Sequence, residues 1–145
     1  MDAISDIMTH HHRACDELFS NMENAVSSGD WDSADSAWKE FQGNILNHFA
    51  SEEETLFPAF EDVTGNSQGP TMVMKMEHEQ MRSLLDGLKQ AMEERHAEQV
   101  LGVADTLMMM IQQHNMKEEQ ILYPMIDQAL SPAEPIIDKL TLSAE

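Results

Sequence analysis

The chain has 145 residues, with 8 Lys and Arg against 27 Asp and Glu and a formal net charge of −19. A single domain of this size buries roughly two-thirds of its unfolded surface, and this charge would repel a phosphate backbone or an anionic membrane, so neither is an expected partner. The single cysteine, Cys15, can form no internal disulfide; with no signal-like apolar start and no run near the ~20 apolar residues of a membrane helix, this predicts a cytoplasmic protein.

Residues 2–28 read as a first helix, because Met8, His12, Cys15, Phe19, Met22 and Val26 fall at steps of four and three on one face. Gly29 stops it and Asp30 caps the next. The second helix, 31–60, carries an inner stripe of Ala34, Trp38, Phe41, Ile45, His48, Glu52 and Leu56. Pro58 lies inside this pattern and is expected to kink the helix one turn past Glu52. Residues 64–70, Thr-Gly-Asn-Ser-Gln-Gly-Pro, form the clearest loop.

The second half repeats the first at an offset of 114 − 48 = 66 residues. A third helix, 71–94, carries Met74, His78, Met81, Leu85, Leu88 and Met92, the counterparts of the first helix's stripe. A fourth, 97–130, carries Val100, Ala104, Leu107, Ile111, His114, Glu118 and Leu122, the counterparts of the second. These periods predict an all-α fold over residues 1–131, an antiparallel up-down-up-down four-helix bundle of two repeated hairpins. Residues 132–145, with Pro132 and Pro135, read as a short tail.

Within the repeat one phrase stands out: His48-x-x-x-Glu52-Glu53-x-x-Leu56-Phe57-Pro58 returns as His114-x-x-x-Glu118-Glu119-x-x-Leu122-Tyr123-Pro124. Residues four apart share a helix face, so each copy aims an imidazole and a carboxylate at one point. From the turn near Gly29, His12 lies 17 residues back and His48 lies 19 forward, or ~26 and ~28 Å at 1.5 Å per residue. His78 and His114 each lie 18 residues from the turn near His96, so the four histidines reach one layer. In the run His10-His11-His12 only one ring can face the core, and the repeat selects His12.

That layer gathers His12, His48, His78 and His114 with Glu52 and Glu118. Two buried carboxylates without partners would each cost several kcal/mol, a penalty that cations remove. The mixed nitrogen and oxygen set suits iron, or less well manganese. The simplest division gives two metals, each with two histidines, bridged by both glutamates and by an oxo or hydroxo group, with about one position open on each metal.

This constellation resembles the hemerythrin-like (HHE cation-binding) family over residues 4–130. The resemblance implies a non-haem di-iron centre that binds oxygen or handles nitric oxide or peroxide. The oxygen carriers of that family add a fifth histidine on the third helix; the positions four before and four after His78 are here Met74 and Arg82. Their last motif ends in an aspartate five residues after the histidine, whereas Glu118 lies four after His114. The four-His, two-Glu set is similar to the hemerythrin-like domain of iron-centre repair proteins, which are linked to oxidative and nitrosative stress. Two similarly open metals favour redox turnover or sensing over storage; a reversible oxygen or iron carrier or sensor without turnover is the alternative. A structural bundle holding zinc is a third reading. The His78-Glu79-Gln80-Met81-Arg82 run nearly spells a zinc-protease signature, but Arg82 stands where its second histidine would be.

Around this set, Cys15 and Met81 are repeat equivalents one turn from His12 and His78, core fillers that could also line a ligand pocket, and the Tyr123 hydroxyl could hydrogen-bond beside it. Glu53 and Glu119 are expected at the periphery, and Asp16 and Arg82 could pair or support the ligands.

Overall fold

In the computed structural model, which describes residues 4–130 and Ile136, every element is helical. The order is α1 (Ile4–Ser27), α2 (Trp31–Ser51), α3 (Phe57–Thr64), α4 (Pro70–Glu93), α5 (Ala97–Lys117) and α6 (Tyr123–Ala129). π-helical turns over Glu52–Leu56 and Glu118–Leu122 join α2 to α3 and α5 to α6, so the six segments make four rods. The tail expected over 132–145 lies, apart from Ile136, outside the described residues. No described helix is long and apolar enough to cross a membrane.

The predicted stripes are the buried faces. On α1 these are Ile4, Met8, His12, Cys15, Phe19, Met22 and Val26; on α5, Val100, Ala104, Leu107, Ile111 and His114. α1 packs mainly on α2, and α4 on α5, as two hairpins. The apolar residues form two separate clusters. The larger, on the side of the hairpin turns, runs from Cys15 to Val26, Ala34 to Phe49, Met81 to Met92 and Val100 to Ile111. The smaller gathers Ile4, Met8, Leu56, Phe57, Phe60, Met74, Leu122, Tyr123 and Ile126. The six polar residues of the predicted layer fall between the two along every rod, closed off from water at both ends.

The hairpin turns explain where the rods stop. At the first, the Asp30 N–H donates to the Ala25 carbonyl and the Gly29 N–H to Val26, with Gly29 at φ +77°. The Asp30 side chain then accepts from the Ser33 N–H to open α2. The second turn is built alike, from His96 to Ala91 and Arg95 to Met92, but the left-handed position is filled by Arg95 at φ 56°. Its guanidinium forks onto both oxygens of Asp35 and lies over the Trp31 ring, contacts that offset the strain of a side chain there. Gly29 has nothing within 4 Å of where a Cβ would stand, so Gly29→Ala carries a purely conformational cost of about 1 kcal/mol. A thermal melt should show a drop of about 2–4 °C, with metal content unchanged.

The expected kink at Pro58 takes a specific form. Proline has no N–H for the carbonyl four residues back, and its ring crowds that carbonyl. The backbone widens the turn before it, and the Phe57 N–H bonds to the Glu52 carbonyl, five residues back. Tyr123 does the same to Glu118. The extra residue shifts the buried stripe by one, so Leu56 and Phe57 both face inward, as do Leu122 and Tyr123.

Candidate metal centre

All four rods contribute side chains to the layer. His12 comes from α1, His48 from the last turn of α2, His78 from α4 and His114 from the last turn of α5, with Glu52 and Glu118 opening the two π turns. All six are buried, none more than 7 % exposed. His12 Nε2 lies 3.1 Å from His48 Nε2 and 3.1 Å from Glu118 Oε1. Across the layer, His78 Nε2 lies 3.1 Å from Glu52 Oε1, and His48 Nε2 lies 3.4 Å from the same oxygen.

Two groups of donor atoms converge to within 4.8 Å: Glu52, His78, His114 and Glu118 in one, and His12, His48 and Glu118 in the other. Glu118 belongs to both groups. Its Oε2 has no hydrogen-bond partner, nor has His114 Nε2, which sits 3.3 Å from Glu118 Oε1 without hydrogen-bond alignment. Orphaned polar atoms in a core are costly. A cation among these donors would satisfy them, so the residues fit a metal.

Behind three of the histidines stands a carboxylate. Glu119 lies 2.7 Å from His12 Nδ1, Glu53 lies 2.6 Å from His78 Nδ1, and Glu77 lies 2.8 Å from His114 Nδ1. Such a carboxylate accepts the proton of the outer nitrogen and leaves the inner one free to ligate. Glu53 is fixed by a two-pronged bond from Arg82, and Glu77 by Lys117. The Asp16–Arg82 pairing considered from sequence gives way to these bonds, and Asp16 accepts from Gln112. Sequence reasoning missed Glu77 altogether; it lies off the buried stripe, and its repeat counterpart is not acidic.

Tyr123, the other break in the repeat, sends its hydroxyl into the layer. The oxygen lies 2.7 Å from Glu52 Oε2, 3.0 Å from Glu118 Oε1 and 3.1 Å from His12 Nε2. Its counterpart Phe57 instead stacks on the His78 ring, centroids 5.9 Å apart. Burial, followed by the Glu118 and Glu52 charges, holds the phenol well above its ordinary range, so it stays a donor. On the other side of the layer is a small cavity of about 10 Å³, lined by His12, His48, Cys15, Met81, Ile45 and Ile111 among others. That is room for one water-sized molecule. Cys15 and Met81 thus line a pocket while also filling the core. Burial, then the Asp16 charge, pushes the Cys15 thiol up to about 12, which makes it an unreactive wall.

The charges are arranged for a cation. Burial favours a neutral His78, yet hydrogen bonds to Glu52 and Glu53 outweigh it and raise the pKa to about 9. Burial, opposed by the Glu52 charge and reinforced by the His12, His11 and His78 charges, drops His48 to about 3. Glu52 is raised, first by burial and then by the Glu118 charge. Glu118 is lowered, because its close contacts with Glu52, His114 and His12 outweigh its burial. The metal-free layer therefore holds protons at pH 7 that a metal must displace. His78, raised above 6.5, keeps its proton until the pH passes about 9, so metal affinity should rise with pH up to that point by about tenfold per unit for each proton released. Titration calorimetry in buffers of different ionisation enthalpy would count those protons.

The hemerythrin HHE cation-binding domain family matches the chain over residues 3–126. An uncharacterized hemerythrin-like protein of Schizosaccharomyces pombe (strain 972 / ATCC 24843) is 30% identical over 138 residues, covering 94% of this chain and 65% of the relative. The chain thus spans under two-thirds of that relative's length. No solved structure matches.

Proposed function

Because this chain belongs to the hemerythrin HHE cation-binding domain family, we propose that it binds two iron ions in its central layer and reacts with a small ligand such as oxygen, nitric oxide or peroxide. The observation that carries this reading is the layer itself: two converging donor groups of histidine and glutamate, joined through Glu118. His12 and His48 would hold one ion and His78 and His114 the other, with Glu52 and Glu118 bridging. Manganese is the less suited occupant, since the set mixes four imidazoles with only two carboxylates. An up-down-up-down order of the rods belongs to the same reading, supported by the tight turns at Gly29 and Arg95.

Iron bound here would supply redox-active Lewis-acid sites at which a small ligand can bind. The protein's own residues set the conditions. The apolar clusters on either side exclude bulk water, and the cavity beside His12 and His48 admits a molecule no larger than a few atoms. The Tyr123 hydroxyl, held against both carboxylates, is the proton donor nearest the layer. A role in oxidative or nitrosative stress and a cytosolic location complete the proposal.

Reversible carriage or sensing is the second reading, and Cys15 in the cavity wall favours it, because a thiol held neutral supplies no redox partner for repeated turnover. Metal analysis with the optical spectrum, followed through anaerobic reduction and readmission of oxygen, tests both. About two irons per chain with near-ultraviolet charge-transfer bands are expected. Catalytic loss of peroxide or nitric oxide marks turnover; release of the ligand unchanged marks a carrier. Zinc alone, or no metal, would sink the proposal.

A further inference from the structure

The 66-residue repeat supplies an internal control for the residues behind the ligands. Glu119 behind His12 and Glu53 behind His78 obey it, since 119 − 66 = 53 and 78 − 66 = 12. Glu77 behind His114 does not. Its counterpart behind His48 is residue 77 − 66 = 11, which is His11. The His11 ring meets His48 edge-on with centroids 5.8 Å apart, and His48 Nδ1 is buried without a hydrogen-bond partner.

We infer that the two metal positions are unequal, and that the one formed by His12 and His48 is exchangeable because His11 stands where a carboxylate would complete the set. The inference rests on the two-metal reading above. A ligating imidazole binds through one nitrogen and carries its proton on the other. A carboxylate accepting that proton fixes the tautomer, locks the ring and raises the basicity of the ligating atom; its loss typically costs about 10–100-fold in metal affinity. His78 and His114 both have that support, from carboxylates that are themselves tied down by Arg82 and Lys117. These cations dilute the carboxylates' charge but fix their oxygens on the histidine N–H, and the hydrogen bond is what His48 lacks.

Two further observations point the same way. The donor group containing His78 and His114 has four members, whereas that containing His12 and His48 has three. A polar surface cleft of about 270 Å³, lined by His10, His11, Asn44, Asn47 and Ser51, also reaches His48. That cleft brings solvent close to the outer face of this histidine.

The test loads the full chain with ferrous iron under anaerobic conditions and follows transfer to a coloured ferrous chelator. Two phases of equal amplitude are expected, separated by about 10–100-fold in rate. His11→Glu, which restores the carboxylate the repeat lacks, should slow the fast phase towards the slow one. Glu77→Gln should do the opposite and convert the slow phase into a second fast one, so the test does not depend on a single variant folding. Circular dichroism on both variants separates these effects from loss of structure. Release of both ions in one phase, or unchanged rates in folded variants that bind two ions, would overturn the inference. Fewer than two ions bound before chelator is added would overturn the two-metal reading and this inference together.

Discussion

Glu52→Gln should abolish metal binding while leaving the metal-free protein as stable as before, or more so. Glu52 is fully buried beside Glu118, and its carboxyl is raised first by burial and then by its neighbour's charge. In the metal-free protein it therefore behaves as a protonated acid, sharing a hydrogen bond with Glu118 and accepting one from Tyr123. Glutamine has the same shape, keeps its oxygen for His78 Nε2, presents its N–H to the Tyr123 hydroxyl, which can accept it while donating to Glu118, and carries no charge to desolvate. The sign follows from linkage: a carboxyl whose folded pKa lies above its unfolded value loses the fold stability as the pH climbs past the unfolded value, and glutamine is spared that loss. With metal the effect reverses, because a neutral amide is a much weaker cation ligand than a carboxylate. Ligand binding to the folded state contributes about 4 kcal/mol when free metal is at 1,000 times Kd, on the order of 10 °C in Tm for a chain of this size. The wild type should show that rise on adding iron and the variant should not. Retained iron, or a metal-free variant that melts far below the parent, would refute this account.

What the sequence made legible was whatever repeats with the helix period. The stripes from Met8 to Val26 and from Val100 to Leu122 are buried as read, because each rod contributes one apolar face and the rest is solvated. The six layer residues converge because each sits on that same face. Three features escaped the period. The π turns are a choice of hydrogen-bond partner within an unbroken helix, and a hydropathy pattern does not register it; only Pro58 and Pro124 mark the place. Glu77 supports His114 from the flank of α4, where polar residues look alike whether or not they point at a ligand. Arg95 takes a backbone conformation that a glycine normally signals, stabilised by Asp35 from 60 residues away in the chain. The last two depend on a neighbour brought close only by folding.

Phe41→Ala separates the scaffold from the centre it carries. Phe41 is fully buried in the larger apolar cluster, its ring edge-on to Phe19 with centroids 5.0 Å apart and tilted against Trp38 at 6.1 Å. Its repeat counterpart, Leu107, lies in the same cluster. Truncation should cost about 3–5 kcal/mol, a large share of the 5–15 kcal/mol typical of a folded domain. No donor atom of the central layer touches this ring, so the metal set is left intact. Metal binds only the folded state, and its contribution of about 4 kcal/mol at 1,000 times Kd is close to the loss. The metal-free variant should therefore be largely unfolded near its parent's melting temperature, and added iron should refold it with the parent's stoichiometry at a higher metal concentration. Circular dichroism against iron concentration reads both effects. A variant that melts within 1 kcal/mol of the parent would show that the helices close around the void, and one that iron fails to refold would show that the ring also shapes the ligand layer.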